Sequence, residues 1–180
     1  LASLKAKTPN LEWILSRKDW KNTLQDQLGE EYAVYLPQMP NKQNAQYDEW
    51  KMLFEKIIAL MDEDIILVGY SLGGIFLAKY LSENTIGKRV KKVLLLGTPF
   101  DNEDMDQEPL CSFYRNGDLQ NLQRQAGELF FYHSDDDFAV PFSHLLKYKE
   151  ALPQARYREM KGHNHFIQES VPELVEDIRG

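Results

Sequence analysis

The sequence predicts an α/β fold in which a mostly parallel sheet is covered by helices on both faces. Three apolar runs, residues 64–69, 89–97 and 127–134, have the length of strands, and the first two lack the alternation of a half-exposed strand. Segments with helical periodicity separate these runs along the chain. Such an order is typical of a parallel sheet whose strands end at one edge, where folds of this class place their sites.

The N-terminal part predicts a helix, a strand and a second helix. Ser16 and Asp19 form a possible capping box for the first helix, and Gly29 favours its end. Residues 32–36 alternate between larger apolar and smaller or more polar side chains and predict a short strand. Residues 47–61 carry a single apolar stripe at helical spacing, which indicates core packing.

The remaining elements follow in the same alternating order. A helix is predicted over 71–84, a weaker and broken helix over 110–125, a helix over 143–152, a strand over 155–160 and a last helix over 171–180. No repeat or low-complexity linker interrupts residues 1–180, so one domain is expected.

Composition argues against several classes of partner. The net charge is −7, with 28 acidic and 21 basic residues, which disfavours nucleic acid and anionic membrane surfaces. No apolar run reaches the ~20 residues of a membrane span, and the first ten residues lack the apolar core of a signal peptide. Cys111 is the single cysteine, so a cytoplasmic protein is expected. The acidic run 101–108 is expected to be a solvated loop, with a border of the substrate entrance as the alternative.

The segment "GYSLG", residues 69–73, matches the pattern G-x-S-x-G between a predicted strand and a predicted helix. This context is required of a nucleophile elbow, in which flanking glycines allow a strained turn to project the serine hydroxyl. Ser71 is therefore a candidate nucleophile, and the amide of Leu72 would face the developing oxyanion. Gly74 would let the helix pack closely on the sheet.

A serine nucleophile needs a base and an acid, which follow it in chain order in this architecture. The loop "SDDDFAVP" comes after one predicted strand and "KGHNHF" after the next. Both loops also suit ordinary solvated turns, and the residues alone leave the choice among three aspartates and two histidines open. With four histidines, none at metal-binding helical spacing, and no nearby cysteine, a metal site is not expected.

The motifs "VGYSLGG", "HSDDDFAVPFSH" and "GHNHF" resemble those of the small single-domain α/β-hydrolases related to retinoblastoma-binding protein nine and their bacterial relatives. The likeness extends from about Tyr32 to the C-terminus. It implies an α/β-hydrolase fold and a serine hydrolase that needs no cofactor. It also implies Ser71 as nucleophile, Asp137 as acid and His165 as base, with Asp136 in reserve for the acid and His165 preferred to His163.

The chain departs from that pattern at its start. Hydrolases of this kind open with a strand and a His-Gly or Gln-Gly turn that supplies a second oxyanion amide, and no such segment is present. The first strand is therefore expected to be missing from this sequence, with a protein that has dispensed with one oxyanion donor as the alternative. A small-molecule acyl substrate is expected to bind in a small pocket formed by Tyr70 beside the nucleophile and by Pro99, Phe100 and Phe113.

A second hypothesis is a protein-binding module on a hydrolase scaffold that has lost most of its activity, because a fold does not establish an activity. Its recognition surface would consist of aromatic side chains such as Trp13, Trp20, Phe113 and Tyr114.

Overall fold

A four-stranded parallel sheet forms the centre of the structure, a computed structural model in which residues 18–105, 110–114 and 117–180 are described. The strands lie side by side in chain order, and each neighbouring pair is parallel. Their bounds are β1 Asp64–Tyr70, β2 Arg89–Leu96, β3 Ala126–Ser134 and β4 Arg156–Met160. The carboxyl ends of all four strands therefore lie at one edge of the sheet.

Successive side chains of the strands enter two different cores. In β2, Val93 and Leu95 belong to the core on one face, and Leu94 and Leu96 belong to the core on the other. All four side chains are fully buried. Because both faces are covered, a strand of this kind has a continuous apolar sequence instead of an alternating one.

Six helices of the described residues cover the two faces. Their bounds are α1 Trp20–Leu28, α2 Tyr47–Ile58, α3 Leu72–Glu83, α4 Gln120–Gln125, α5 Ser143–Ala151 and α6 Pro172–Arg179. Helices α2, α3, α4 and α5 contribute to the first core, and α1 and α6 contribute to the second. This three-layer arrangement confirms the predicted fold class.

Two helix ends follow from local chemistry. The Asp19 side chain caps α1 by accepting hydrogen bonds from the amides of Lys21 and Asn22, whereas Ser16 lies outside the described residues. Gly29 ends α1 with φ of +79°, a conformation that glycine adopts at little cost.

The weak helix predicted over 110–125 is indeed broken. It consists of a 3₁₀ turn at Cys111–Phe113 and the short helix α4. In the acidic run before it, Asp101 and Glu103 both accept hydrogen bonds from the Lys147 ammonium of α5. This part of the acidic run is thus fastened to a helix.

Residues 32–36 do not form the predicted strand, although the structure describes all of them. Tyr32 and Val34 pack against the core of α1 and α6, as the alternation suggested. Their backbone groups are bound by the Gln25 side chain, which donates to the carbonyl of Tyr32 and accepts from the amide of Val34. Alternating apolar residues show which face of a segment is buried, but a β-strand also needs a neighbouring strand with which its backbone can form hydrogen bonds. Within the described residues, β1 has a sheet partner only on its β2 side.

No helix in the described ranges is both long enough and apolar enough to cross a membrane.

Candidate active site

Ser71 occupies the sharp turn between β1 and α3. Its φ of 52° and ψ of −117° are strained for a residue with a side chain, so the surrounding chain must hold the turn in place. Gly69 and Gly74 are the glycines near the turn whose missing side chains the packing requires, whereas a β-carbon at Gly73 would meet nothing within 4 Å. A β-carbon at Gly69 would lie 2.8 Å from the carbonyl oxygen of Gly73, and one at Gly74 would lie 2.0 Å from the Thr98 hydroxyl.

His165 lies between the serine and a carboxylate. Its Nε2 is 2.9 Å from the Ser71 Oγ, and its Nδ1 is 2.8 Å from one oxygen of Asp137 and 3.0 Å from the other. Because a carboxylate can only accept, Nδ1 carries the proton and Nε2 is left to accept the hydrogen bond of the Ser71 hydroxyl. This is the tautomer that a general base acting on serine requires.

Asp137 is held by its own loop. Its side chain is fully buried, and its Oδ1 accepts hydrogen bonds from the amides of Ala139 and Val140, each at 2.9 Å. The buried His133 lies 3.7 Å from Oδ2 and donates its Nε2 proton to the Val140 carbonyl. Burial lowers the pKa of His133, which favours the neutral ring.

The space for the imidazole is left by a glycine at the end of β2. Gly97 has φ of 51°, and a β-carbon there would lie 3.1 Å from two atoms of the His165 ring and 3.2 Å from the Asp137 carboxylate. Any side chain at this position would compete with the ring for its place.

The alternative residues of the two loops have other partners. The Asp136 carboxylate accepts hydrogen bonds from the Ser134 hydroxyl and from the amide of Asn164. The Ser134 hydroxyl also holds the pKa of this carboxylate below its usual value. His163 contacts the carbonyl of Lys161 through Nδ1. Across the described ranges, no group of three or more His, Cys, Asp or Glu side chains is arranged to hold a metal ion.

Tyr70 contacts His165 through both its hydroxyl and its ring, and its place in a substrate pocket stays a prediction. Its hydroxyl donates to the carbonyl oxygen of His165 at 2.6 Å, and its ring lies 5.0 Å from the imidazole. The Trp20 indole donates to the next carbonyl, that of Phe166. The roles of Tyr70 and Trp20 were not predicted, because the residues they hold lie 95 and 146 positions away.

The first amide of α3 directly follows the serine in the chain. Helix α3 begins at Leu72, directly after the serine, and the Ser71 side chain does not cap it. The first amides of a helix have no intrahelical partner and carry partial positive charge. The assignment of the Leu72 amide as an oxyanion donor therefore stays a prediction.

A serine, a histidine and an aspartate in this geometry, on three loops at the carboxyl edge of a parallel sheet, are typical of acyl-transfer enzymes. The family model described as serine hydrolase matches residues 15–171. The chain belongs to the serine hydrolase family. No curated protein matches it significantly.

Solved structures show the same fold for this hydrolase. The ydeN gene product of B. subtilis is 19% identical with a TM-score of 0.71, and the match covers 79% of this chain and 78% of that chain. A meta-cleavage product hydrolase, CumD from Pseudomonas fluorescens, is 17% identical with a TM-score of 0.56, covering 79% and 72%. A carboxylesterase study of the thaumarchaeon Nitrososphaera gargenis gave a structure 16% identical, with a TM-score of 0.54 and coverage of 74% and 69%.

The predicted pocket residues of the hydrolase occupy different environments. Phe113 is 2% exposed, and its ring packs 5.0 Å from that of Trp50, so its assignment to a substrate pocket was wrong. Pro99 is buried as well, and its carbonyl accepts the hydroxyl proton of Tyr148. Phe100 is half-buried, with its ring packed on that of Tyr148.

The aromatic surface proposed for a protein-binding module is not formed in the described part of the chain. Trp20 is 3% exposed and Phe113 is 2% exposed, so neither presents a ring to a partner. Trp13 lies outside the described residues, and Tyr114 is 40% exposed.

Phe138 is an exposed aromatic residue that sequence reasoning missed. Its side chain is 66% exposed, and its ring centroid lies 6.0 Å from that of His165. Its position directly after Asp137 was the available signal. Phe138 therefore places an apolar surface beside His165.

His144 ties the loop after β2 to α5. Its Nδ1 accepts a hydrogen bond from the Phe100 amide, and its Nε2 donates to the carbonyl of Glu103. Both ring nitrogens are thus used by a neutral imidazole that is completely buried. Burial lowers the pKa of His144, and the charges of Asp101 and Lys147 act on it in opposite directions.

We expect this burial to make folding sensitive to acid. Below about pH 6.5 the unfolded chain protonates a histidine that the folded state keeps neutral, so the free energy of unfolding falls as pH decreases. Urea unfolding at about pH 7.5 and about pH 5.5 should show a smaller decrease for His144→Asn than for the wild type. His163→Asn, at a half-exposed site, is the control and should keep the wild-type decrease. Equal decreases in the wild type and His144→Asn would contradict this role.

Proposed function

We propose that this serine hydrolase cleaves a small acyl ester, thioester or amide through an acyl-enzyme on Ser71. The observation that carries the proposal is the 2.9 Å contact between the Ser71 hydroxyl and His165 Nε2, with the Asp137 carboxylate 2.8 Å behind the ring. Such a contact activates a hydroxyl that is otherwise a weak nucleophile.

In the proposed reaction, Ser71 Oγ attacks the acyl carbonyl while His165 Nε2 takes the hydroxyl proton. The negative charge that forms on the carbonyl oxygen is stabilised by the Leu72 amide at the start of α3. Collapse of the tetrahedral intermediate breaks the bond to the leaving group, which receives the proton from His165. Water then attacks the acyl-enzyme by the same route, and the acid product and free Ser71 result.

The Asp137 carboxylate keeps the proton on Nδ1 and stabilises the imidazolium that forms during both steps. Water is the only co-reactant that this scheme needs. The resemblance of the three motifs to those of the hydrolases related to retinoblastoma-binding protein nine supports the same roles for these three residues.

A small apolar substrate fits the surroundings of the base. Phe138 offers an exposed ring beside His165, whereas Pro99 and Phe113 are buried and present no side chain to a substrate. We propose short-chain esters with an apolar alcohol group as the first substrates to assay, in the manner of carboxylesterases.

Covalent labelling tests the proposal directly. We expect a fluorophosphonate to add one adduct mass to the folded wild type and none to Ser71→Ala. Ser82→Ala is the matched control, since this hydroxyl lies on the same helix and donates to the carbonyl of Ala78. Absence of an adduct on wild-type protein with a native circular dichroism spectrum would refute an activated serine.

A further inference from the structure

Two loops carry Asp137 and His165, and the side chains of Ser134 and Asp136 join these loops by hydrogen bonds. The acid loop, residues 135–140, follows Ser134, the last residue of β3, and the histidine loop, residues 161–166, follows β4. The Ser134 hydroxyl donates to Asp136 Oδ1 at 2.5 Å and accepts a hydrogen bond from the amide of His163 at 3.0 Å. Asp136 Oδ1 also accepts from the amide of Asn164 at 2.9 Å.

The bound amides are those of the two residues directly before the base. Ser134 is fully buried, so its hydroxyl has no solvent to replace these partners. The backbone on both sides of His165 is in the left-handed region, with φ of 48° at Asn164 and 52° at Phe166. Non-glycine residues adopt this conformation at an energetic cost, and contacts from outside the loop must offset it.

We infer that Asp136 and Ser134 are positioning residues that fix the histidine loop so that His165 Nδ1 stays on the Asp137 carboxylate. The inference rests on the proposed function. The hydrogen bond from the Asn164 amide to a carboxylate is charge-assisted and therefore stronger than a bond between neutral groups. Asp136 acts through the backbone of the neighbouring loop and does not contact the reacting atoms.

The inference predicts a loss of turnover without a loss of substrate binding. Asp136→Ala should lower kcat by about 10- to 100-fold, because small misplacements of a base are costly, while KM stays within about twofold. Asp136→Asn should restore most of the activity, since the amide oxygen can still accept from Ser134 and Asn164.

Asp135→Ala is the matched control. Asp135 is exposed on the same loop, and its backbone amide donates to the carbonyl of Met160. The Asp135→Ala substitution removes one negative charge, as Asp136→Ala does, at the neighbouring position. It should leave kcat and KM unchanged. Ser134→Ala is the second variant if Asp136→Ala fails to fold, and it should give the same fall in kcat at constant KM.

A pH profile separates positioning from loop stability. A loosened bond to Asp137 stabilises the imidazolium less, so the acid limb of kcat/KM should move to lower pH in Asp136→Ala than in Asp136→Asn. Both variants lack the charge, so the difference reports the hydrogen bonds alone. Melting temperatures of all variants record structural effects separately.

Two results would overturn the inference: kcat and pH profile of Asp136→Ala equal to those of Asp135→Ala, or Asp136→Asn as impaired as Asp136→Ala. The second result would assign the effect to charge. If the wild type is labelled by the fluorophosphonate and these variants behave as controls, the positioning role fails while the proposed function stands. If the wild type is not labelled, the proposed function itself fails.

Discussion

Replacing Ser71 or His165 by alanine is expected to lower kcat/KM for a small ester by roughly 10⁴- to 10⁶-fold. The two side chains share one hydrogen bond and act on one proton, so each is useless in attack without the other. The double variant should therefore lose little more than either single variant.

The measurement is the rate of release of the alcohol product under conditions where KM and kcat are both resolved. Ser82→Ala is again the control, and melting temperatures establish that the variants are folded. If the logarithms of the two single losses in kcat/KM added up in the double variant, Ser71 and His165 would act independently and not as one catalytic unit.

Asp137→Asn is expected to reduce kcat by about 10⁴-fold without loss of the fold. The amides of Ala139 and Val140 both donate to Oδ1, so the asparagine oxygen should occupy that position. Its NH₂ group would then face His165 Nδ1 and donate to it, which moves the ring proton to Nε2. A protonated Nε2 cannot accept the proton of Ser71.

Asp135→Asn provides the comparison, because it makes the same chemical change on the same loop at an exposed site. Steady-state kinetics on both variants, with circular dichroism spectra, is sufficient. If Asp137→Asn retained more than about a tenth of the wild-type kcat, the prediction that this variant moves the His165 proton to Nε2 would be contradicted.

The site motifs were readable from the sequence because each is local. The turn at Ser71 needs glycines within a few positions, and these can be seen in five letters. The residues alone did not separate Asp137 from Asp136, and only the resemblance to known hydrolases favoured one. In the structure the two aspartates differ in their partners, because Asp136 accepts hydrogen bonds from Ser134 and from Asn164 of the neighbouring loop.

Features that depend on distant partners were not predictable. Residues 32–36 have the alternation of a strand, yet no neighbouring strand pairs with them in the described ranges. Phe113 and Trp20 are aromatic residues in segments of mixed polarity, where burial is decided by packing against other elements. The sequence position of Tyr70 gives no sign that its hydroxyl reaches the carbonyl of His165.

Because Gly97 follows β2, the four strands of the sheet contribute to the site in two different ways. β1, β3 and β4 each lead into a candidate catalytic side chain, whereas β2 lies between β1 and β3 and leads into a glycine that leaves space for one of them. The absence of a side chain at Gly97 is as specific a requirement as the three side chains, because the His165 imidazole occupies the space that a β-carbon would need. Any substitution at Gly97 would therefore have to displace the imidazole or the carboxylate, although Gly97 has no side chain of its own to take part in the chemistry.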